Sequence, residues 1–599
     1  MKILGIHDGH NASAALLING KIVAAVSEER FSRKKNDWCY PKKAIEFCIK
    51  QGNINSGELD KVVFASFNQS PILQKINRSV TFDVFDFVRE QEEHWKPLLL
   101  EGKESDFYQR IQKEPKFQLD TYYDLSPLMK DGIIMNDDFS KFREIRKNMV
   151  IKHLGVDDNK VSFVNHHTCH AYYAYYASPI REDNVLIVTV DGFGDVENAT
   201  IFLSTKEGLI EKYRTNQANI GRLYRYMTVL LGMKLLEHEY KVMGLAPYAR
   251  EKYLKPVLDI FKKTMKIDGI NWVYDYKPKD IYFYFQDALK GHRFDNIAGG
   301  LQRYTEELIV QWVKNSMKEF NCNKLVFSGG VAMNVKVNKC ISQIDNLDYF
   351  FVPPSGGDES LSMGAVYYEA ENMLRNYNLE EIKCLNDAYL GPEFSDEEVK
   401  KVLEDKKIFS KYKIIENPSP DTIADFLVRG KIIGRCWGRM EFGARSLGNR
   451  SIMANPSKWE NVGIINNKIK FRDFWMPFTP SILNSRANDY LENPKNLSAP
   501  FMTIAFDTKE LAKEHIPAAI HPADFTVRPQ IIDRKANPEY YDIIKAFENK
   551  TGIGVILNTS LNLHGEPIVC SPEDAVYTFE NSQLDMVLIG KYLIMRDEK

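Results

Sequence analysis

KILGIHDGHNASAALLINGKIVAAV (2–26) and NVLIVTVDGFGDVENATIFLSTKEGL (184–209) share one layout. In the first, an apolar strand (Lys2–His7) runs into the polar turn HDGHNAS, and a second strand (14–18) is joined by Asn19-Gly20 to a third (21–26). Asn-Gly between apolar runs is a strong hairpin signal, because both residues tolerate the left-handed backbone of a tight two-residue turn. In the second, NVLIVTV is a buried strand, Asp191-Gly192 turns it, ATIFLST is a strand, Lys206-Glu207-Gly208 turns again, and a further strand follows. Two copies of strand, Asp-Gly turn and hairpin predict a duplicated α/β architecture. Strand–Asp-Gly–strand is common on its own, so the assignment depends on the rest of the chain.

Working outward, residues 70–150 are rich in charged and aromatic residues at helical spacing and read as a helical insertion between the two hairpin units. A helix over 299–320 leads to the strand KLVFSGG, VAMNVKVN starts another helix, and a helix over 361–375 closes the first unit near 377. The polar stretch 378–394 reads as a linker. Beyond it DTIADFLVRG is a helix ending at Gly430 and KIIGRCWG a strand, so a second α/β unit occupies 395–599.

Composition bounds the function. The chain has 599 residues, 44% hydrophobic and 27% charged, enough for two sizeable cores. Lys and Arg number 79 against 81 Asp and Glu, and this balance lacks the basic surplus that nucleic-acid phosphates require. Eight dispersed cysteines form no CxxC pair, which points to a reducing, cytoplasmic setting rather than a disulfide or zinc-knuckle scaffold. No window reaches the roughly 18 consecutive apolar residues of a membrane span. Aromatic residues in the insertion are compatible with a homodimer.

NHHTCHA (165–171) carries the sharpest metal signal. His166 and His170, four apart, project from one face of a helix, whereas His167 lies off that face and reads as supporting structure. Asp191 at a strand end and Asp358 in PPSGGDES offer oxygen ligands, and two imidazoles with two carboxylates suit iron, manganese or zinc. SGGVAMN (328–334) sets Gly329 and Gly330 between a strand and a helix, a geometry that lets backbone amides approach phosphate, although many strand–helix turns need glycine for shape alone. Ser13 and the HDGHNAS amides form a second phosphate candidate. In the second unit Arg439, Arg445, Arg450, Lys470, Arg472 and Arg528 sit in loops with Gly, Pro, Asn and Ser neighbours, near Asn558, Thr559, Ser560 and Asn562. Such a set suits a compact polyanion, since the guanidinium fork pairs with phosphate oxygens. Surface salt bridging is the plainer alternative.

As an ordered set, HDGHNASAALL, EERFSRKK, VNHHTCHA, TVDGFGD, KVMGLAPYA, FSGGVAMN, PPSGGDES, GARSLGNRS, FTPSIL, RPQ and LNTSLNLHGEPIV resemble the O-carbamoyltransferases of nodulation-factor and antibiotic biosynthesis over nearly the whole chain. The resemblance implies an ASKHA-type (duplicated, actin-like) domain over 1–377 and a YrdC-like α/β domain over 395–599. It implies that carbamoyl phosphate and ATP give carbamoyl adenylate in the YrdC-like domain, and that the carbamoyl group then passes internally to a small-molecule hydroxyl in the first. By motif, His166, His170, Asp191 and Asp358 would hold the metal, iron in this family. Gly329, Gly330 and Asn334, with Gly192 opposite, would line the nucleotide site, and His10 would act as general base. Lys470, Arg445, Arg450, Arg472 and Arg528 would bind carbamoyl phosphate and the ATP phosphates. Two positions depart from the family pattern: Met476 stands in WMPFTP where arginine is usual, and His564 stands where arginine is frequent. Both remove fixed positive charge. Carbamoylation or threonylcarbamoylation of tRNA or protein, and a non-enzymatic ATP-binding scaffold, are the competing functions.

Overall fold

The two Asp-Gly hairpins open two sheets with the same strand order. The first sheet is β3-β2-β1-β4-β5, built from β1 (Lys2–His7), β2 (Ser13–Ile18), β3 (Lys21–Ser27), β4 (Lys61–Ala65) and β5 (Val161–Val164). The second is β8-β7-β6-β9-β10, from β6 (Leu186–Val190), β7 (Ala199–Thr205), β8 (Gly208–Thr215), β9 (Lys324–Ser328) and β10 (Tyr349–Phe351). In each, the first three strands form an antiparallel meander and the last two add in parallel. This is the duplicated α/β arrangement that the sequence pattern predicts, and the ASKHA-type fold that the family resemblance implies. The computed structural model describes residues 1–374 and 379–597, and the chain divides into two compact units, 1–385 and 386–599. The expected boundary at 377 and the start of the linker at 378 lie outside the described residues.

The insertion occupies a different place from the one expected. It joins β4 to β5 inside the first sheet rather than separating the two hairpin units. Parallel neighbours need a crossover connection, and here that crossover has grown to nearly a hundred residues. It includes the short helix α1 (Arg78–Thr81), the longer α2 (Phe139–Leu154), and a small hairpin pairing Met129–Lys130 with Ile133–Ile134, so it is not purely helical. Phe82, Phe87, Phe107 and Phe117 are buried with Val229, Leu235 and Phe283, while Phe85 stands 84% exposed. Most of the aromatic signal therefore reports a core.

Helix α3 (His166–Ala177) follows β5, α4 (Ile220–Leu230) and α5 (Phe294–Glu319) follow β8, and α6 (Leu361–Met373) follows β10. Helices α3 and α6 cross at Gly364, where a Cβ would lie 1.9 Å from the Cys169 carbonyl oxygen. No larger residue permits that approach, which brings the start of α3 near the loop before α6. The helix expected directly after Gly329-Gly330 begins later. A single 3₁₀ turn (Gly330–Met333) intervenes, and Asn334 then caps a helix over Val335–Ser342 by accepting the Val337 N–H.

The second unit carries an eight-stranded mixed sheet, β11-β18-β17-β12-β13-β16-β14-β15, formed by Lys413–Glu416, Ile433–Cys436, Arg450–Ala454, Thr479–Leu483, Gln530–Ile532, Val555–Ser560, Met586–Ile589 and Tyr592–Met595 as β11 to β18. The 378–394 stretch is not a free tether in its described part. Ile382, Leu385, Ala388 and Leu390 are buried, the Lys383 N–H donates to the Gly20 carbonyl, and Arg439 donates to the Leu390 carbonyl. Spaced apolar residues in a polar run dock each end on its own unit. All eight cysteines are free thiols, and no described helix is long and apolar enough to cross a membrane.

Candidate active site

The first unit concentrates its chemistry where β1, β6, α3 and the loop before α6 meet. Asn165 caps α3 by accepting the Thr168 N–H, and Asp195, the second acid of DGFGD, accepts the His166 N–H. With the helix start fixed, His166 and His170 project together, and their Nε2 atoms stand 3.2 Å apart. Asp191 Oδ2 lies 3.3 Å from His170 Nε2 and 4.0 Å from His166 Nε2, and Asp358 Oδ1 lies 3.7 Å from both. One atom from each of the four residues falls within 4.8 Å of the others. Two imidazole nitrogens facing each other and two carboxylates form a closed N2O2 set that fits a divalent first-row cation. All four residues expected as metal ligands are thus brought together.

Electrostatics supports that reading. Burial alone would push the His170 imidazole down, but Asp191 and Asp358 beside it raise it to about 9. Burial opposes ionisation of Asp191 too, yet His166, His170 and Arg225 hold its carboxyl well below the usual range. His167 turns away and pairs through Nδ1 with Thr189 Oγ1 at 2.7 Å, as its off-face position predicts.

His10 lies beside this cluster. Its Nδ1 is hydrogen-bonded to Ser79 Oγ at 2.9 Å, and its carbonyl accepts from His7 Nε2 at 3.0 Å. Burial and, next to it, Arg225 lower its imidazole to about 4 against the pull of Asp358, so the ring is neutral at physiological pH. In the tautomer that carries its proton on Nδ1 and donates it to Ser79 Oγ, Nε2 is left as a proton acceptor.

The phosphate candidates of this unit are arranged differently from expectation. Ser13 Oγ donates to the Glu359 carbonyl at 2.6 Å and pairs with Ser362 Oγ at 2.8 Å, tying β2 to α6 rather than facing a ligand. Gly329 has φ +94°, and a Cβ there would meet the Val190 carbonyl oxygen at 2.3 Å. Gly330 donates its N–H to Asp191 Oδ2 at 2.8 Å, and the Gly192 N–H is directed at Asp191 Oδ1. The glycine turn therefore orients the Asp191 carboxylate of the four-residue cluster. Asn334, besides capping, exchanges two hydrogen bonds with Gln302 on α5.

Sequence reasoning missed Asp8, Ser66, Arg146 and Arg225. Arg146 on α2 grips Asp8 with two bonds of 2.7 Å and donates to the Ser66 and Phe67 carbonyls. Ser66, at φ +76°, bonds His166 Nδ1 at 3.1 Å and so fixes that ring. Arg225 donates to Asp191 Oδ1 at 3.3 Å. Asp8 stands in the first Asp-Gly turn but nothing local marks it as a charge partner, and Ser66, Arg146 and Arg225 follow no local motif; a buried arginine in FREIRKNMV looks like one more solvated helix charge.

In the second unit Arg445, Arg472 and Arg528 converge. Burial, then the Arg445 and Arg472 guanidiniums, push Arg528 well below the ordinary arginine range, and its buried Nε has no hydrogen-bond partner. Arg472 bonds Asn466 Oδ1 at 2.8 Å and lies 4.1 Å over the Phe478 ring. Lys470 Nζ reaches the carbonyl of Ser560, its Oγ and Asn562 Oδ1, so these expected partners do meet. His564 Nδ1 donates to the Lys470 carbonyl at 3.1 Å, while Met476 is buried. Thr559 is half-buried on β16. Asn558 is buried and bonded to Ser446 and Ser481. Arg450 is a structural residue here: its guanidinium donates to the carbonyls of Cys570, Trp437, Gly438, Asn449 and Pro392.

Comparison with known proteins agrees with this division. Residues 2–367 match the family described as Carbamoyltransferase N-terminus, and residues 424–596 match Carbamoyltransferase C-terminus. An uncharacterized protein of Methanocaldococcus jannaschii is 32% identical, with 99% of each chain covered. Nodulation protein NolNO of Sinorhizobium fredii is 27% identical over 98% of this chain and 79% of its own, and nodulation protein NolO of Bradyrhizobium diazoefficiens is 31% identical over 72% and 79%. With both of its halves matched in order, the chain belongs to the carbamoyltransferase family of enzymes.

Proposed function

We propose that the protein is an ATP-dependent O-carbamoyltransferase that uses carbamoyl phosphate and modifies a hydroxyl of a small molecule. The observation that carries this reading is the convergence of Arg445, Arg472 and Arg528, where the charges acting on the half-buried Arg528 are two further guanidiniums. Crowded like charges are unfavourable unless an anion sits among them. Carbamoyl phosphate and the ATP phosphates are such anions, and Lys470 with Ser560 lies on the neighbouring loops.

In this scheme, water cleaves carbamoyl phosphate to phosphate and carbamate in the second unit. A carbamate oxygen then bonds to the ATP α-phosphorus and pyrophosphate leaves, giving carbamoyl adenylate. The arginines stabilise the charge that develops as phosphates depart. In the first unit the acceptor oxygen bonds to the carbamoyl carbon, AMP leaves, and the hydroxyl proton passes to neutral His10. His166, His170, Asp191 and Asp358 would hold a divalent metal, iron by family resemblance. Such a cation neutralises adenylate charge and makes AMP a better leaving group.

The test is mass spectrometry of purified protein with ATP and carbamoyl phosphate, before and after chelation and Fe(II) repletion. Carbamoyl adenylate with stoichiometric pyrophosphate supports the reading. Failure of both to form under every metal condition, with ATP still bound, would reject it in favour of a nucleotide-dependent scaffold whose donor site Met476 and His564 have altered.

A further inference from the structure

The crossover between β4 and β5 reaches the HDGHNAS loop directly. We propose that Ser79 on α1 is a positioning residue for His10, so that the insertion supplies part of the apparatus that activates the acceptor hydroxyl. This rests on the reading of His10 as the base.

Ser79 is 2% exposed, and its Oγ lies 2.9 Å from His10 Nδ1. When Nδ1 holds the ring proton and donates it to Ser79 Oγ, Nε2 is the nitrogen left to take a substrate proton. The His10 backbone is fixed separately, by the bond its carbonyl receives from His7. A four-residue helix has no stability of its own, so the anchoring of α1 decides whether Ser79 can hold anything. That anchoring is dense. Asn77, at φ +44°, donates to Asp37 Oδ1 at 2.7 Å and accepts the Trp38 N–H at 3.1 Å. Arg78 bonds Glu90 through both Nε and a terminal nitrogen, and Tyr108 donates to the same, fully buried carboxylate. The Arg78 guanidinium lies 4.7 Å over the Phe87 ring. Each of these contacts fixes the serine hydroxyl relative to the end of β1. A serine that merely satisfied its own hydroxyl would leave the imidazole free to turn, whereas this pair defines its rotamer.

The experiment uses the full chain as wild type, S79A, S79T, H10A and S79A/H10A. Pyrophosphate reports the first half-reaction, and AMP release with glycerol as hydroxyl donor reports transfer. S79A is expected to lower AMP release about tenfold or more, the range for loss of a partner that orients a functional histidine. Pyrophosphate should be unchanged, S79T should restore transfer, and S79A should add nothing in the H10A background. Carbethoxylation of His10 by diethyl pyrocarbonate, read on the peptide, tests the hold without turnover. S79A should change that rate several-fold, because the ring loses the partner that fixes which nitrogen carries its proton, and S79T should not. Equal carbethoxylation in wild type and S79A, a parallel fall in pyrophosphate, or an undiminished S79A effect without His10 overturns the proposal. A wild type that makes no pyrophosphate defeats the transferase reading instead, and the carbethoxylation rates still decide whether Ser79 holds His10.

Discussion

Replacing Arg146 by methionine should cost the first unit about 3–5 kcal/mol, because it leaves one partner of a buried ion pair alone. Arg146 is 1% exposed and Asp8 fully buried, and the two are joined by paired contacts of 2.7 Å. Tyr123 also donates to Asp8 at 2.6 Å, but a single phenol cannot replace a guanidinium as counter-charge. The Ser66 and Phe67 carbonyls lose donors as well, each worth about 1 kcal/mol. Methionine keeps the apolar stem packed, so the loss isolates charge from volume. For a unit of this size, about 2 °C per kcal/mol puts the calorimetric transition roughly 6–10 °C lower. The control is D8N/R146M, which removes the stranded carboxylate while keeping an acceptor for Tyr123. It should be less destabilised than R146M although it carries one more substitution. A loss below about 1 kcal/mol for R146M, or a double variant at least as damaged as the sum of the singles, would refute the argument.

Three further outcomes follow from the geometry. His170 is raised to about 9 by Asp191 and Asp358, so in metal-free protein its contribution to stability is complete below its unfolded value near 6.5 and is lost as pH climbs through 9. Metal entry must displace that proton, so apparent affinity should rise about tenfold per pH unit up to that point; titration calorimetry in buffers of different ionisation enthalpy should record one proton released, and none would contradict the assignment. G329A should destabilise the first unit by several kcal/mol, given φ +94° and a Cβ 2.3 Å from the Val190 carbonyl, whereas G330A, with Asp191 at 3.2 Å as its nearest neighbour, should fold and weaken metal binding; similar melting temperatures for the two would count against the turn described. R528M should keep or raise the melting temperature while abolishing pyrophosphate release, and R450M should lower it by removing a donor to five carbonyls; the reverse pattern would exchange their roles.

The hairpins, both Asp-Gly turns and the pairing of His166 with His170 were legible because each depends on local spacing: alternation marks a strand, and a separation of four places two side chains on one helix face; that Asp191 and Asp358 join the histidines is a matter of the fold. Ser13, Asn334 and Arg450 misled for the converse reason. Their types suit phosphate, but they spend their polar atoms on Glu359, Gln302 and backbone carbonyls that lie far away in the chain. Ser66, Ser79 and Arg146 left no local signal, since each acts across the fold on a loop that it does not adjoin in sequence. The insertion was misplaced because composition reports helices and aromatics without saying which strands they connect.

The two halves of the first unit treat one inherited position in opposite ways. Asp8 follows β1 as Asp191 follows β6, each with a glycine next, and Ser66 and Gly329 stand at matching places after β4 and β9, both at positive φ. In the first half, a guanidinium belonging to the chain itself neutralises the carboxylate permanently. In the second, the equivalent acid meets a single Arg225 contact of 3.3 Å and otherwise faces two imidazoles and a second carboxylate, a set of four ligand atoms close enough to hold a cation. The two matching acids thus sit in different company, one riveted by a guanidinium and the other in a cluster able to take a cation. On the proposed metal-dependent reading, only the second would tie activity to the supply of cations.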